Sequence, residues 1–598
     1  MSFIAPTRSK KLKKLCLIAH SIIRQWGWGY FYYISRKEWK EKGFSIFYPD
    51  QKPVPLFDRI SFQEHYEKYL TSIEENFTPD NFDSNFIQMT FLLYFDSQKP
   101  QILESILKSF LDQSFDKWNV VLISKNNELV DSSLLPQDKR ISLISNPDIK
   151  TILDKIDSLE YDFLGLIDSN VILPSYSLQA FVEFLKKNPN SNIFYSDHDT
   201  IDKNGKRFNP FFKPDWSLTT FLSFDYISSL YIVKKDLVQK VLKNNILNDF
   251  SFDFLLRCIS SSDVITHVPN PLYSKITSNS LSTNEYKKNI LTKYVQENNI
   301  DAKIENGILP DTFRIHYNLK SQPKVSIFIP TKNNRELLQR CINSIEKNTN
   351  YKNIEIIIIN NPALPTEIYF DPKLEKYYDD IPHKVVHYEG NFNFSKMNNA
   401  AVKESTGDLL LFLNDDTKIL SKSKNWLDEM VSILLQDDVG VVGPKLVFGD
   451  DTIQHAGMTF LKTGAGFHPF MKLDHYAKGY HNFANITKEC SAVTGACLLT
   501  KRDIFEKVGE FDNDFDVYYG DSDLCLKIRE AGYKIVYTPF AVVLHDGSRT
   551  IRGRYFFNYF AVESHQRFME KWPELKNGDP FYHPMLDWDY SLNTEYSK

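Results

Sequence analysis

The sequence predicts an α/β protein: two tandem Rossmann-like domains, each with a mostly parallel sheet, behind a helical N-terminal segment. Three observations predict it. First, 598 residues exceed what a single hydrophobic core organises. Second, continuous apolar runs such as VSIFIP and DLLLFL read as strands buried on both faces. They alternate with amphipathic stretches such as ELLQRCINSIEKN, the pattern of parallel strands joined by right-handed crossovers. Third, the chain repeats itself. WNVVLISKNN (118–127) parallels NIEIIIINNP (353–362), and YDFLGLIDSNVILP (161–174) parallels GDLLLFLNDDTKIL (407–420). FSFDFLLRCISSSDVITHVPNPLYS (250–274) parallels GDSDLCLKIREAGYKIVYTPFAVVLHD (520–546). The offset grows along the chain, as insertions in the second copy would cause.

Three parts follow in order. Residues 1–84 read as a helical, aromatic N-terminal segment, 85–318 as a first α/β domain and 323–598 as a second, with Pro323 at the seam. Residues 1–42 hold ten Lys and Arg against two acids, a net of +8 in a chain whose total is −5. That total excludes nucleic-acid binding by bulk charge. Leu12, Leu15, Ala19, Ile22 and Trp26 fall at helical spacing beside the basic residues. This stripe suits either an anionic membrane surface or packing on the protein itself. No apolar run here reaches the ~20 residues that span a bilayer, and no secretory signal is read. Six scattered cysteines form no C-x-x-C pair and read as reduced thiols of a cytoplasmic protein.

The most informative stretch is 407–420, where an apolar strand runs into Asn414-Asp415-Asp416. Acids at the carboxyl end of a buried strand lie where open α/β sheets bind ligands. Adjacent carboxylates repel unless a cation joins them, and oxygen ligands in that setting favour Mg2+ or Mn2+ shared with phosphates. A solvated turn is the plain alternative for those three residues alone.

The second domain resembles a family-2 glycosyltransferase of the type-A, nucleotide-sugar-binding fold. The resemblance covers nearly all of 323–598 and rests on ordered motifs. KVSIFIPTKNNRELLQRCINSI resembles the opening strand, nucleotide loop and first helix. YKNIEIIIINN resembles the second strand, FNFSKMNNAA then GDLLLFLNDDT the approach to the acidic motif, and VGVVGPKLVFGDDTIQHAG the acceptor-side segment. ECSAVTGACLLTKRDIFEKVGEFDNDF and YYGDSDLCLKIREAGYKIVYTPFAVVLHD resemble the segments with the catalytic base and a late metal-binding histidine. The tail NGDPFYHPML is similar to that of bacterial members that build O-antigen and other surface polysaccharides.

The resemblance implies an inverting, metal-dependent sugar transfer. Asp416 and His545 would bind the cation, and Asp521 would be the base. Pro330, Thr331, Asn360, Asn398, Asn399, Asn414 and Asp415 would contact the nucleotide or donor. Thr494, Gly495, Ala496, His455, Gly520 and Asp523 would line the donor or acceptor pocket. Without the resemblance, Asp523 reads as a helix-start residue, His545 as structural, and Asn398 and Asn399 as helix caps. Two departures stand out. Asn360 occupies the place of a base-binding Asp, which relaxes the expected base selectivity, and the acidic motif is Asn-Asp-Asp rather than Asp-x-Asp.

The first domain reads as a decayed copy with a structural or acceptor-binding role. Ser124-Lys125-Asn126 lacks a base-binding Asp, Asp168-Ser169-Asn170 stands where the metal motif belongs, and Ser251 stands where the base should be. Asp197-His198-Asp199 reads as a loop, with a binding role as the alternative. The expected partners are a UDP- or dTDP-sugar donor, a polysaccharide or lipid-linked glycan acceptor and an anionic membrane surface. Three readings compete with a single active site: a non-catalytic carbohydrate-binding scaffold, a transferase active in both domains, and a nucleotide-sugar hydrolase.

Overall fold

A computed structural model describes residues 59–76, 87–95, 100–124, 135–145, 148–244, 252–262, 264–276, 284–332, 334–361, 382–547 and 559–587. The basic arm 1–42, Cys16 and Ser251 lie outside the described residues. No helix among the described residues is long and apolar enough to cross a membrane.

Two sheets carry the fold. The first is built from β1 (Met89–Phe95), β2 (Trp118–Ser124), β3 (Ile141–Ser145), β4 (Phe163–Ile167), β5 (Val171–Ile172), β6 (Ile193–Ile201), β7 (Leu230–Lys234) and β8 (Ile265–Ile276). The second is built from β9 (Val325–Thr331), β10 (Ile354–Asn360), β11 (Lys384–His387), β12 (Leu409–Leu413), β13 (Thr417–Ile419), β14 (Val439–Val447), β15 (Cys497–Lys501) and β16 (Lys534–His545). Their spatial orders are β3-β2-β1-β4-β7-β6-β8-β5 and β11-β10-β9-β12-β15-β14-β16-β13. Strand for strand, the two orders are the same. In each, the leading strands pair in parallel, and one strand (β7 or β15) enters antiparallel beside the central one. The chain is thus two tandem α/β domains of one topology.

The central strands explain themselves. Every residue of β12 and of β9 is buried, as the unbroken apolar runs demand. The helices needed below are α1 (Arg59–Asn76), α2 (Phe252–Ser260), α3 (Asn284–Glu297), α4 (Arg335–Asn348), α5 (Phe394–Val402), α6 (Gly520–Glu530) and α7 (Tyr559–Lys571). Gly532 follows the C-terminal end of α6 with φ +91°, the left-handed turn that ends helices and that glycine adopts without strain. The five described cysteines are buried free thiols.

The two domains share a buried junction. Tyr480 of the second domain donates its hydroxyl to Pro210 O at 2.9 Å and accepts from Phe212 N at 2.8 Å. His481 stacks on Phe211 with ring centroids 4.1 Å apart. Ser217 Oγ donates to Glu489 Oε2 at 2.9 Å. Helix α1 is tied to the first domain by Tyr66, whose hydroxyl donates to Asp199, itself paired with Arg207.

Asp197-His198-Asp199 is not the loop expected from sequence. It lies inside β6, with Asp197 and Asp199 fully buried. Asp197 meets His267 Nε2 at 2.8 Å and His583 Nε2 of the C-terminal tail at 3.0 Å, and the three side chains offer ligand atoms within 4.8 Å of one another. Protons account for this cluster better than a metal does. Met585 N donates to His583 Nδ1 at 3.1 Å, so the His583 proton sits on Nε2, the atom facing Asp197. Metal ligation through Nε2 would need the opposite tautomer. His267 faces a carboxylate at each nitrogen, Asp197 and Asp215, and so carries both protons.

Burial alone would raise Asp197, but His583 and His267 outweigh it and hold its carboxyl below the ordinary range. Burial would lower His267, but Asp197 and Asp215 raise it instead. A depressed carboxylate stabilises above its unfolded value, and a raised histidine below its own. The cluster therefore contributes most between about pH 4 and 6.5, the ordinary carboxylate and histidine values. Its stabilisation fades on further acidification and as pH rises through the His267 value. His267→Ala, which strands a buried carboxylate, is expected to cost about 3–5 kcal/mol and to flatten the pH dependence of the thermal midpoint. Midpoints measured from pH 4 to 8 check this.

Candidate active site

The site lies at the carboxyl ends of β9, β10 and β12. β12 delivers Asn414, Asp415 and Asp416 immediately after its last residue, and Asn414 N donates to Ala496 O at 3.1 Å. Asp415 is half-buried and accepts from Thr331 Oγ1, at the end of β9, at 2.7 Å. Burial, and after it the neighbouring Asp416, push its carboxyl up to about 7 against that hydrogen bond.

Asp416 is buried. Its Oδ1 lies 2.9 Å from Nε2 of His545, the last residue of β16. β13 pairs β16 with Thr417 opposite His545, so sheet register brings the two residues together. His545 Nδ1 stands 2.6 Å from Gln454 Oε1, and Asn414 Nδ2 approaches its Nε2 at 3.4 Å. With Gln454 accepting, the proton sits on Nδ1, and Nε2 presents a lone pair beside a carboxylate oxygen. Two acceptors so placed suit a cation. Ligands ~2.1 Å from an octahedral ion lie ~3 Å apart on adjacent vertices, which matches the 2.9 Å separation. The residues therefore fit a divalent ion completed by phosphates and water.

Segment 494–496 links this motif to Asp521. Gly495 N donates to Asp521 Oδ2 at 2.8 Å, and Ser522 N donates to Oδ1 at 2.7 Å. Burial holds the Asp521 carboxyl above the ordinary range against these donors. A Cβ at Gly495 would meet the Phe394 ring at 3.3 Å and Asp521 Cβ at 3.4 Å. Gly520 opens α6, and a Cβ there would stand 3.0 Å from Ser395 Oγ.

Asn360 ends β10, buried, with its Oδ1 lacking a hydrogen-bond partner and its Nδ2 3.5 Å from His387 Nδ1. Pro330 is buried within β9. His455 is buried, with Nδ1 3.0 Å from His468 Nδ1 and Nε2 unpartnered. Burial and His468 push His455 well below the ordinary histidine range.

Three predicted residues are turned inward. Asn399 Nδ2 donates to Phe511 O at 2.8 Å, and its Oδ1 accepts from Phe511 N at 3.1 Å. Asn398, fully buried, donates to Phe394 O of its own helix α5. Asp523 is fully buried, and its Oδ1 accepts from Trp572 Nε1 at 2.9 Å and Lys571 Nζ at 2.8 Å.

Residues 326–509 match the model of "Glycosyl transferase family 2". That span holds the acidic motif and segment 494–496. The second domain is a family-2 glycosyltransferase domain. "O-antigen biosynthesis protein RfbC" of Myxococcus xanthus is 30% identical over 449 residues, 71% of this chain and 34% of that protein. "Uncharacterized protein y4gI" of Sinorhizobium fredii is 30% identical over 519 residues, 81% of this chain and 56% of that protein. The chain thus spans between a third and somewhat over half of these relatives. Among solved structures, "GalNAc-T7 with UDP, GalNAc and Mn2+" aligns over 39% of this chain and 45% of that one, at 16% identity and a TM-score of 0.31.

Four site residues of this glycosyltransferase domain escape sequence reading. Gln454 sets the His545 tautomer, and its only signal is adjacency to His455. His468 partners His455 from just beyond the short strand Gly466–Phe467. Arg340 of α4 donates to Asp416 O at 3.2 Å and pairs with Asp546 at 2.5 Å. Tyr519, at the N-cap of α6, holds a left-handed backbone at φ 67°, strained for a bulky residue. Its hydroxyl meets His565 Nδ1 at 2.8 Å, and its ring stacks on Phe568 at 4.6 Å, both on α7. Helix α7 and Trp572 thereby grip α6 on both sides of Asp521. Phe568→Ala is expected to slow sugar transfer about 10–100-fold by misplacing Asp521, with donor affinity unchanged. Steady-state kinetics beside nucleotide-binding calorimetry checks this.

Proposed function

We propose that the chain is a metal-dependent, inverting glycosyltransferase with one active site, in the second domain. It moves a sugar from a UDP- or dTDP-sugar to a polysaccharide or lipid-linked glycan in bacterial surface glycan synthesis, on the cytoplasmic side. The observation that carries the reading is segment 494–496, bonded at one end to the acidic motif and at the other to Asp521. Donor and acceptor chemistry thus meet at one place. The name of the Myxococcus relative supports a surface-glycan acceptor.

Asp416 and His545 would hold Mg2+ or Mn2+, and the ion would supply Lewis-acid stabilisation of the departing diphosphate. The chain's own residues do the rest. Thr331 fixes Asp415, whose carboxylate faces the donor. Asn360 offers an amide edge to the nucleobase, its oxygen accepting an imide N–H and its nitrogen donating to a ring carbonyl. Segment 494–496 leaves room for the sugar because two of its side chains are minimal. Asp521 removes the proton of the acceptor hydroxyl, and its raised carboxyl is a stronger base than an ordinary aspartate.

Two outcomes test the reading. Asp416→Ala and excess chelator should each abolish transfer, and Gln454→Leu should weaken Mn2+ binding about 10–100-fold by freeing the His545 tautomer. Calorimetry with Mn2+ alone reads the second effect, and full activity in chelator overturns the metal. Asp521→Asn should slow turnover about 100- to 10,000-fold while donor binding survives. The wild-type rate should rise with pH through the raised Asp521 value, and the variant should lose that limb. Retained turnover with an unchanged pH profile removes Asp521 from the role of base.

A further inference from the structure

The first domain keeps the backbone cradle of the second domain's site and changes the side chains in it. β5 pairs β8 with Val171 opposite Lys275, as β13 pairs β16 with Thr417 opposite His545. Ile276 N donates to Asn170 O at 2.8 Å, as Asp546 N donates to Asp416 O at 3.1 Å. Asp168 N donates to Ser229 O at 2.9 Å, as Asn414 N donates to Ala496 O at 3.1 Å. Val171 N returns to Asp168 O as Thr417 N returns to Asn414 O. These four correspondences equate Lys275 with His545, Asn170 with Asp416, Ser169 with Asp415 and Asp168 with Asn414.

The exchange has an electrostatic meaning. In the second domain, a dication lets Asp415 and Asp416 ionise together and balances their charge. In the first, one carboxylate and one ammonium are neutral already. The first-domain motif without a metal therefore presents a diphosphate with the same net charge as the second-domain motif with one. An amide oxygen at Asn170 is a poor hard-cation ligand beside an ammonium, so no divalent ion is expected there.

The surrounding charges leave Lys275 available. Lys275 is half-buried and makes no ion pair among the described residues. Asp225 is already neutralised by Lys287 at 2.5 Å and accepts from Ile227 N and Ser228 N. Lys213 is fully buried, donating to Ser196 O and the Tyr273 hydroxyl. Burial lowers Lys275 from the ordinary lysine value, and exposed Asp168 is the first of the charges that oppose that shift.

We infer that the first domain holds a metal-free diphosphate site in which the Lys275 ammonium stands in the place of the divalent cation. Lysine suits the role as a compact charge with three donors, the chemistry by which it binds phosphate elsewhere. The diphosphate belongs either to a nucleotide or to a lipid-linked acceptor. The inference rests on reading Asp416 and His545 as the cation site of the second domain.

The test uses the full chain carrying Asp416→Ala, in excess chelator, so that the second-domain site is silent. Inorganic pyrophosphate is titrated by calorimetry. The expected result is saturable binding in chelator, at least ten-fold weaker in Lys275→Met and retained in Lys275→Arg. UDP and farnesyl diphosphate are then competed against pyrophosphate. Tighter binding of UDP assigns the site to a nucleotide, and tighter binding of farnesyl diphosphate assigns it to a lipid-linked acceptor. Absence of binding in chelator overturns the inference, whatever the folding of the lysine variants. So does equal affinity in a folded Lys275→Met, which would make Lys275 an internal counter-charge to Asp168 only. Wild-type turnover that persists in chelator defeats the second-domain metal reading instead and is seen in a separate assay.

Discussion

The hydrogen bond from Asn414 N to Ala496 O is the contact on which the site depends. It forms because β15 enters antiparallel beside β12, so the loop before β15 arrives at the strand end carrying the acids. A wholly parallel neighbour would send that loop to the other end of the sheet. From this contact the geometry spreads both ways. On one side, Asp415 and Asp416 are fixed by Thr331 and by the β13–β16 register. On the other, Gly495 N carries the position to Asp521. Small side chains at 495 and 496 are what let two backbones and a carboxylate converge there.

The same contact recurs in the first domain, between Asp168 N and Ser229 O, with different side chains around it. The backbone geometry is shared by the two copies, and the side chains around it differ. The pairing of strand with strand depends on apolar burial, which many residues satisfy. A cation site depends on carboxylates, which a single exchange removes. Asn170 in the place of Asp416 is such an exchange, and Lys275 opposite Val171 puts an amine where His545 stands opposite Thr417.

Helix α7 and the tail join these parts. The tail reaches across the domain junction to place His583 on Asp197, where protons rather than a metal hold the cluster together. Just before it, α7 presents Phe568 and His565 to Tyr519, and Lys571 and Trp572 reach Asp523. The first domain keeps a simpler version: Asp253 of α2 pairs with Arg257, which in turn meets Glu297 at the end of α3. A strained left-handed tyrosine persists only when its surroundings over-determine it, and α7 supplies those surroundings.

The sequence by itself determined the α/β class, the tandem repeat, the strands that lead to Asp416 and His545 and the helix that opens at Asp521. Each is written in local pattern: a short unbroken apolar run between turn residues reads as a strand buried on both faces, and repeated motifs need no partner to be seen. Asp523 could also be read locally as a helix-start residue. Tertiary structure alone decided which polar atoms meet. Gln454 against His545, Arg340 beside the acidic motif and His468 on His455 join segments whose spacing carries no period. Asp197 and Asp199 sit in a polar triplet that reads as a loop from sequence. They are buried in β6 because His267, His583, Tyr66 and Arg207 arrive from four separate places to satisfy them. Burial of a polar side chain is set by its partners, and partners distant in sequence leave no local pattern to read.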